Sequence, residues 1–242
     1  MSALLEVRGL GKRFGGFVAL NDIVLEVADG ERLGLIGPNG SGKSTLVNCL
    51  CGTLRNESGQ VRFAGKSLNG LSAHERSRLG LARSFQLPRP FGTMTLAENL
   101  RIPILYAVHA RDGVRVADVP LRCADLLAMV GLADKADRLP RDLTQIEMRK
   151  LELARAMASE PRLLIADEAM AGLSHQEVDD ILALLLQLNA QGITIIMIEH
   201  IMRAVLAFSQ RLVVLVAGRK IADGAPQDVV RQPNVVEAYL GS

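Results

Sequence analysis

Residues 37–45 read Gly37-Pro38-Asn39-Gly40-Ser41-Gly42-Lys43-Ser44-Thr45. They fit the phosphate-binding loop pattern G-x-x-x-x-G-K-[ST]. The run before them, residues 32–36, reads as a short buried strand, and the run after, residues 46–51, continues a helix that ends at Gly52. Strand, loop and helix therefore stand in the order this chemistry requires. Glycines let backbone N–H groups turn inward around phosphate oxygens, and the following helix aims its positive end at the same anion. Lys43 supplies a point charge for β- and γ-phosphates, and Ser44 a hydroxyl for Mg²⁺. A Gly-rich turn with an exposed lysine is the bland alternative, and the flanking strand and helix argue against it.

The chain of 242 residues is long enough for one large α/β domain with an insertion, and 49% hydrophobic residues can fill a sizeable core. Its 28 basic and 26 acidic residues leave a net charge of +2, which gives no reason to expect a nucleic-acid partner. Three cysteines, Cys49, Cys51 and Cys123, fit a reducing compartment and lack the paired spacing of a zinc site. No secretory signal is read at the start. The longest apolar runs, residues 192–198 and 212–217, fall far short of the roughly 20 residues a membrane span needs. A membrane link is expected only through a partner.

Residues 3–8 and 22–28 read as strands of an opening β region. Between them lies Lys12-Arg13-Phe14-Gly15-Gly16-Phe17. Aromatics make up only 3% of the chain, so these two stand out. Phe14 is read either as a platform stacked on a nucleobase or as an ordinary core or surface phenylalanine. Residues 59–64 read as a strand, and 72–79 as a helix opened by the capping-box pattern Ser72-Ala73-His74-Glu75. Residues 81–86 read as a strand ending in Gln86, with Pro88 and Pro90 breaking regular structure. From 87 to about 159 helical patterns dominate, at 95–106, 119–130 and 144–157, with 107–118 read as a loop. This stretch is taken as a helical insertion, so that 1–86 and 160–242 form the α/β core. The core resumes with an apolar strand ending in Asp167-Glu168. A helix at 176–189, a strand at 193–198, the polar pair Glu199-His200 and a short helix at 203–208 follow. A hairpin through Gly218-Arg219 and helices at 226–230 and 234–240 come last. Alternating apolar strands and helices predict a mainly parallel sheet with both faces covered.

Ligands of such sheets bind at the carboxyl ends of the strands. Four candidates fall there: the phosphate loop, Gln86, Asp167-Glu168 and His200. A lone histidine after a strand is more often structural, and a carboxylate pair can simply cap the next helix. Beside a phosphate loop they form a nucleotide-hydrolysis set. Asp167 would hold Mg²⁺ near Ser44, and Glu168 would take a proton from the attacking water. Gln86 would contact the metal or that water, and His200 would reach the γ-phosphate. The reaction so assembled is phosphoryl transfer from a nucleotide to water.

With these residues quoted, the chain resembles the ATP-binding subunits of ABC transporters, and is most similar to those of branched-chain amino acid and related uptake systems. The resemblance runs along essentially the whole chain. It implies a P-loop NTPase core with an N-terminal antiparallel β region and an inserted helical subdomain. It also implies that Lys12 to Gly16 form an adenine-stacking loop, which favours stacking for Phe14. Gln86 matches the Q-loop, Asp167-Glu168 the Walker B end, and His200 the switch histidine. The tail Asn234-Val235-Val236-Glu237-Ala238-Tyr239-Leu240-Gly241 is similar to that subfamily's tail. The implied partners are membrane-spanning permease subunits docked by residues 87–159, a second ATP-binding subunit and, indirectly, an extracytoplasmic solute-binding protein. The implied location is peripheral, on the cytoplasmic face of the membrane.

One stretch departs from the pattern. Where the family carries Leu-Ser-Gly-Gly-Gln or close to it, this chain has Leu143-Thr144-Gln145-Ile146-Glu147. Both glycines are replaced, and Glu147 would bring negative charge toward ATP. Residues 171–174, Ala171-Gly172-Leu173-Ser174, also lack the aspartate many relatives carry. The resemblance then implies a subunit that pairs with a different ATPase, its own signature closing a weaker second site. Homodimerisation stays open, as does a loop that turns these side chains away. Against an ATPase powering import stand two other readings: a soluble ATPase acting on ribosomes or DNA, and a nucleotide-dependent interaction module with weak hydrolysis. The near-neutral charge argues against the first, and Glu168 with His200 against the second.

Overall fold

The computed structural model describes residues 3–84, 89–111 and 115–240. Two sheets form its frame. The first has the order β2-β1-β4-β5, built from Ala3–Phe14 (β1), Phe17–Ala28 (β2), Ser58–Phe63 (β4) and Lys66–Ser67 (β5), all paired antiparallel. The second has the order β10-β9-β3-β8-β7-β6, built from Arg32–Ile36 (β3), Leu81–Ser84 (β6), Leu163–Asp167 (β7), Thr194–Ile198 (β8), Arg211–Val216 (β9) and Arg219–Gly224 (β10). Within it β6, β7, β8, β3 and β9 run parallel, and only β10 turns back.

Side-chain alternation sets the layers. Leu33 and Leu35, Leu163 and Ile165, Ile196 and Ile198, Val213 and Leu215 share one core with the antiparallel sheet and with Lys43–Cys51 (α1). Their alternates Leu164 and Ala166, Ile195 and Met197, Leu212 and Val214 face the other core. That second core is covered by His175–Ala190 (α6) and Met202–Phe208 (α7), and it continues into the helices that lie between β6 and β7. Those are Leu96–Pro103 (α3), Val119–Met129 (α4) and Gln145–Met157 (α5), and every described regular element there is helical.

Several boundaries differ from the sequence reading for local reasons. The strands expected at 3–8 and 22–28 each run 12 residues and meet as a hairpin at Gly15-Gly16, so Phe14 and Phe17 are opposed at its tip. The helix expected to reach residue 106 stops at Pro103 and passes into a π-helical turn, Ile104–Val108. Proline has no N–H for the preceding turn, which favours such a widening. The span 107–118, read as a loop, begins inside that turn. Its Arg111 is tied down, donating to the Arg78 and Ser159 carbonyls. The closing hairpin turns at Ala217-Gly218, one residue early, with both at positive φ. The helix Ala73–Arg78 (α2) keeps its capping box at Ser72 and Glu75. Two helices, Pro226–Val229 (α8) and Pro233–Leu240 (α9), follow β10. Among the described residues, no helix is long and apolar enough to cross a membrane.

Candidate functional site

Because β3, β7 and β8 are parallel neighbours, the segments that leave their carboxyl ends emerge along one edge. Residues 37–42 leave β3, Glu168 leaves β7 and Glu199-His200 leave β8. The loop wraps close to two backbones. A Cβ on Gly42, which sits at φ +104, would stand 2.7 Å from the Ala19 carbonyl, and one on Gly37 only 2.1 Å from that of Leu215. Glycine at both places is a packing requirement.

Lys43 opens α1 and is only 7% exposed. Its ammonium donates to the Gly37 and Pro38 carbonyls at 2.7 and 3.1 Å and to Ser41 Oγ at 3.4 Å. Burial lowers its pKa from the usual lysine value, while the charges of Glu168 and Asp167 act to raise it. The lysine therefore lies within electrostatic reach of both carboxylates. Ser44 is exposed on the first turn of the same helix, and Thr45 follows it half-buried.

Asp167 ends β7 and is held by Arg83 of β6, whose Nη2 donates to Oδ2 at 2.6 Å. Arg83 Nη1 also donates to Asn48 Oδ1 of α1 at 2.7 Å, so one guanidinium links β6, α1 and the β7 tip. Glu168 follows at φ +50, an uncommon conformation for a residue with a side chain, and its N–H donates to the Ile198 carbonyl at 2.9 Å. His200 Nε2 lies 3.3 Å from Glu168 Oε1, a bond in which the Nε2–H tautomer donates. The strand tips thus bring Lys43, Asp167, Glu168 and His200 to one edge. Gln86 lies outside the described residues. Phe14 is 51% exposed at the tip of the β1–β2 hairpin, with the Lys12 ammonium 5.4 Å from its ring centre. The same hairpin's second strand touches Gly42 through Ala19.

Hard oxygen donors suit Mg²⁺, which takes one or two protein ligands and completes its shell with water and phosphate. Ser44 offers a hydroxyl. Asp167 offers a carboxylate of which Arg83 occupies one oxygen. Among the described residues no cluster of three His, Cys, Asp or Glu side chains forms an all-protein metal cage. This small donor set fits a metal carried in with a nucleotide.

At residues 143–147 the replaced side chains turn onto their own chain. Thr144 caps α5 by accepting the Glu147 N–H, and the Glu147 carboxylate accepts the Thr144 N–H at 3.0 Å. Lys135 pairs with the same carboxylate at 2.5 Å and holds its pKa below the usual range. Gln145 Nε2 donates to the Ala171 carbonyl at 3.3 Å, and Leu143 and Ile146 pack against the helical-side core. Glu147 is thus turned onto its own helix start by the Thr144 N–H and paired with Lys135 of the preceding turn at 133–135.

Three participants were not read from the sequence: Arg83, the buried Glu199, and Tyr239 of α9, whose phenol pKa is raised by burial and drawn back by the nearby Gly37 backbone. Arg83 follows an apolar pair inside a strand and gives no local signal of its partner.

Residues 20–171 match the sequence family described as ABC transporter, and 219–242 match the branched-chain amino acid ATP-binding cassette transporter family. The chain is 37% identical to the high-affinity branched-chain amino acid transport ATP-binding protein BraF of Pseudomonas aeruginosa, with 98% of each chain covered. It is 36% identical to the corresponding LivG protein of Escherichia coli, again over 98% of each. Among solved structures, a nucleotide-free ATP-binding cassette from an ABC transporter superposes with a TM-score of 0.90 at 31% identity, covering all of both chains. A cassette in its ADP conformation superposes at 0.89 and 32%, also over both full lengths.

Proposed function

This chain belongs to the ABC transporter family, and we propose that it is the ATP-binding and hydrolysing subunit of an importer for branched-chain amino acids or a related small polar solute. The observation that carries the hydrolytic part is the convergence of Lys43, Asp167, Glu168 and His200 at the tips of three parallel strands, with Glu168 and His200 3.3 Å apart. The solute class rests on the relatives' substrates.

In this reading the triphosphate enters the loop of residues 37–45. Its oxygens replace the carbonyls that now hold Lys43, and the backbone N–H groups and the α1 terminus share the charge. Phe14 stacks on the base. A bound Mg²⁺, held by Ser44 and Asp167 and contacted by Gln86, would neutralise charge on the β- and γ-phosphates. Glu168 takes the proton of the attacking water, and His200 first orients the Glu168 carboxylate and then meets the γ-phosphate. Residues 87–159 dock on membrane-spanning permease subunits. The chain sits on the cytoplasmic face without entering the bilayer, and a solute-binding protein on the far side delivers the cargo.

The cis contacts of Gln145 and Glu147 favour a mate that is a different ATP-binding chain carrying its own glycine-rich signature. Reconstitution in lipid vesicles with the permease and binding subunits tests both parts. The expected result is ATP-driven uptake of labelled leucine or isoleucine, lost in Lys43→Ala. This chain alone should hydrolyse ATP at about a tenth or less of the rate of the mixed complex. Full activity from a homodimer would overturn the heteromeric pairing. Robust ATP hydrolysis with no uptake of these amino acids would overturn the substrate.

A further inference from the structure

Glu199 stands between two segments with assigned roles and is itself only 3% exposed. Its Oε1 accepts the Met170 N–H at 2.8 Å. Met170 lies two residues beyond Glu168, in a tight turn closed by Ala171 N–H to the Glu168 carbonyl at 3.2 Å and Leu173 N–H to the Met170 carbonyl at 3.2 Å. Glu168 enters that turn in the left-handed region, so the turn's geometry sets where its carboxylate points.

The opposite side of the turn is gripped from α5. Arg149 Nη2 and Gln145 Nε2 both donate to the Ala171 carbonyl, at 3.2 and 3.3 Å. Arg149 is buried too, and its charge acts on Glu199. The β8 tip thus holds one N–H of the turn, and α5 holds the next carbonyl. A buried carboxylate is costly where an apolar residue of similar volume would pack, so stability gives no reason for it here.

We propose that Glu199 is a positioning residue for hydrolysis, which fixes the turn carrying Glu168 and, with Arg149 and Gln145, fastens that turn to the helix following residues 143–144. This rests on Glu168 acting as the base. Any displacement of α5 relative to the strands then reaches the base through Ala171 and Met170, with no change at the phosphate loop.

The test uses the assembled complex and measures steady-state ATP hydrolysis beside equilibrium binding of a fluorescent ATP analogue. Glu199→Gln keeps an acceptor oxygen for the Met170 N–H, and Glu199→Leu removes it in a residue suited to burial. The expected result is a kcat about tenfold lower in Glu199→Leu with the nucleotide Kd within about twofold, and a kcat within about threefold of wild type in Glu199→Gln. Glu199→Met serves in the same way if the leucine variant does not fold. An unchanged kcat in the apolar variant, or an equal loss of kcat and affinity, would overturn the inference. Glu168→Gln run in parallel separates the two readings. Full turnover there removes the base itself, whereas an inactive Glu168→Gln beside a fully active Glu199→Leu removes only Glu199.

Discussion

Glu199 also makes a claim on stability. Burial, reinforced by the charge of Glu168, lifts its carboxyl from the usual 4.5 to about 7, against the opposing pull of the Met170 and His200 N–H groups and Arg149. A carboxyl with a raised folded-state pKa keeps its proton in the folded chain while the unfolded chain has lost it. Its cost is therefore absent below pH 4.5, grows as pH rises, and is complete above 7. The size is roughly 3 kcal/mol. Glu199→Gln removes that titration. Urea denaturation at several pH values is expected to show the variant gaining on the wild type by roughly 3 kcal/mol between pH 4.5 and 8. A difference independent of pH would contradict the buried, uncharged state. The sequence held a signal for this residue. Ile195 and Met197 point into the helical-side core, and continuing their alternation puts Glu199 on the same side, toward Met170. Phosphate-loop residues were legible because their motif is local. Arg83 was not, because its partner Asp167 lies 84 positions away.

At the scale of elements, α5 shows how one pattern can carry two meanings. Thr144-Gln145-Ile146-Glu147 departs from a nucleotide-contacting signature, yet it is also a capping box of the kind recognised at Ser72 and repeated at Thr95 and Ser174. The cap explains why Glu147 points at Lys135 and the Thr144 N–H. Removing the hydroxyl in Thr144→Ala is expected to cost about 1 kcal/mol in thermal or urea unfolding. No loss would mean that the capping contact does not define the start of α5. Helix and strand existence was readable from periodicity, whereas ends were set by side-chain particulars. Pro103 diverts α3 into a π turn, and the glycine pair at 15–16 lets β1 and β2 run on to the hairpin tip.

At the scale of the molecule, apolar strands alternating with helices announced a parallel sheet. The order β10-β9-β3-β8-β7-β6 depends on crossovers that no local stretch encodes. That order makes β8 the neighbour of both β3 and β7, and so sets His200 beside Glu168, and Glu168 within electrostatic reach of Lys43. Residues distant in sequence are brought together only through this arrangement. The most direct test is Glu168→Gln in the assembled complex, with ATP binding and turnover measured on the same preparation. The expected outcome is bound, uncleaved ATP at near wild-type affinity, with hydrolysis slowed about 100-fold or more. Hydrolysis within about twofold of wild type would show that water is activated by some other group, and the convergence of strand tips would lose its catalytic meaning.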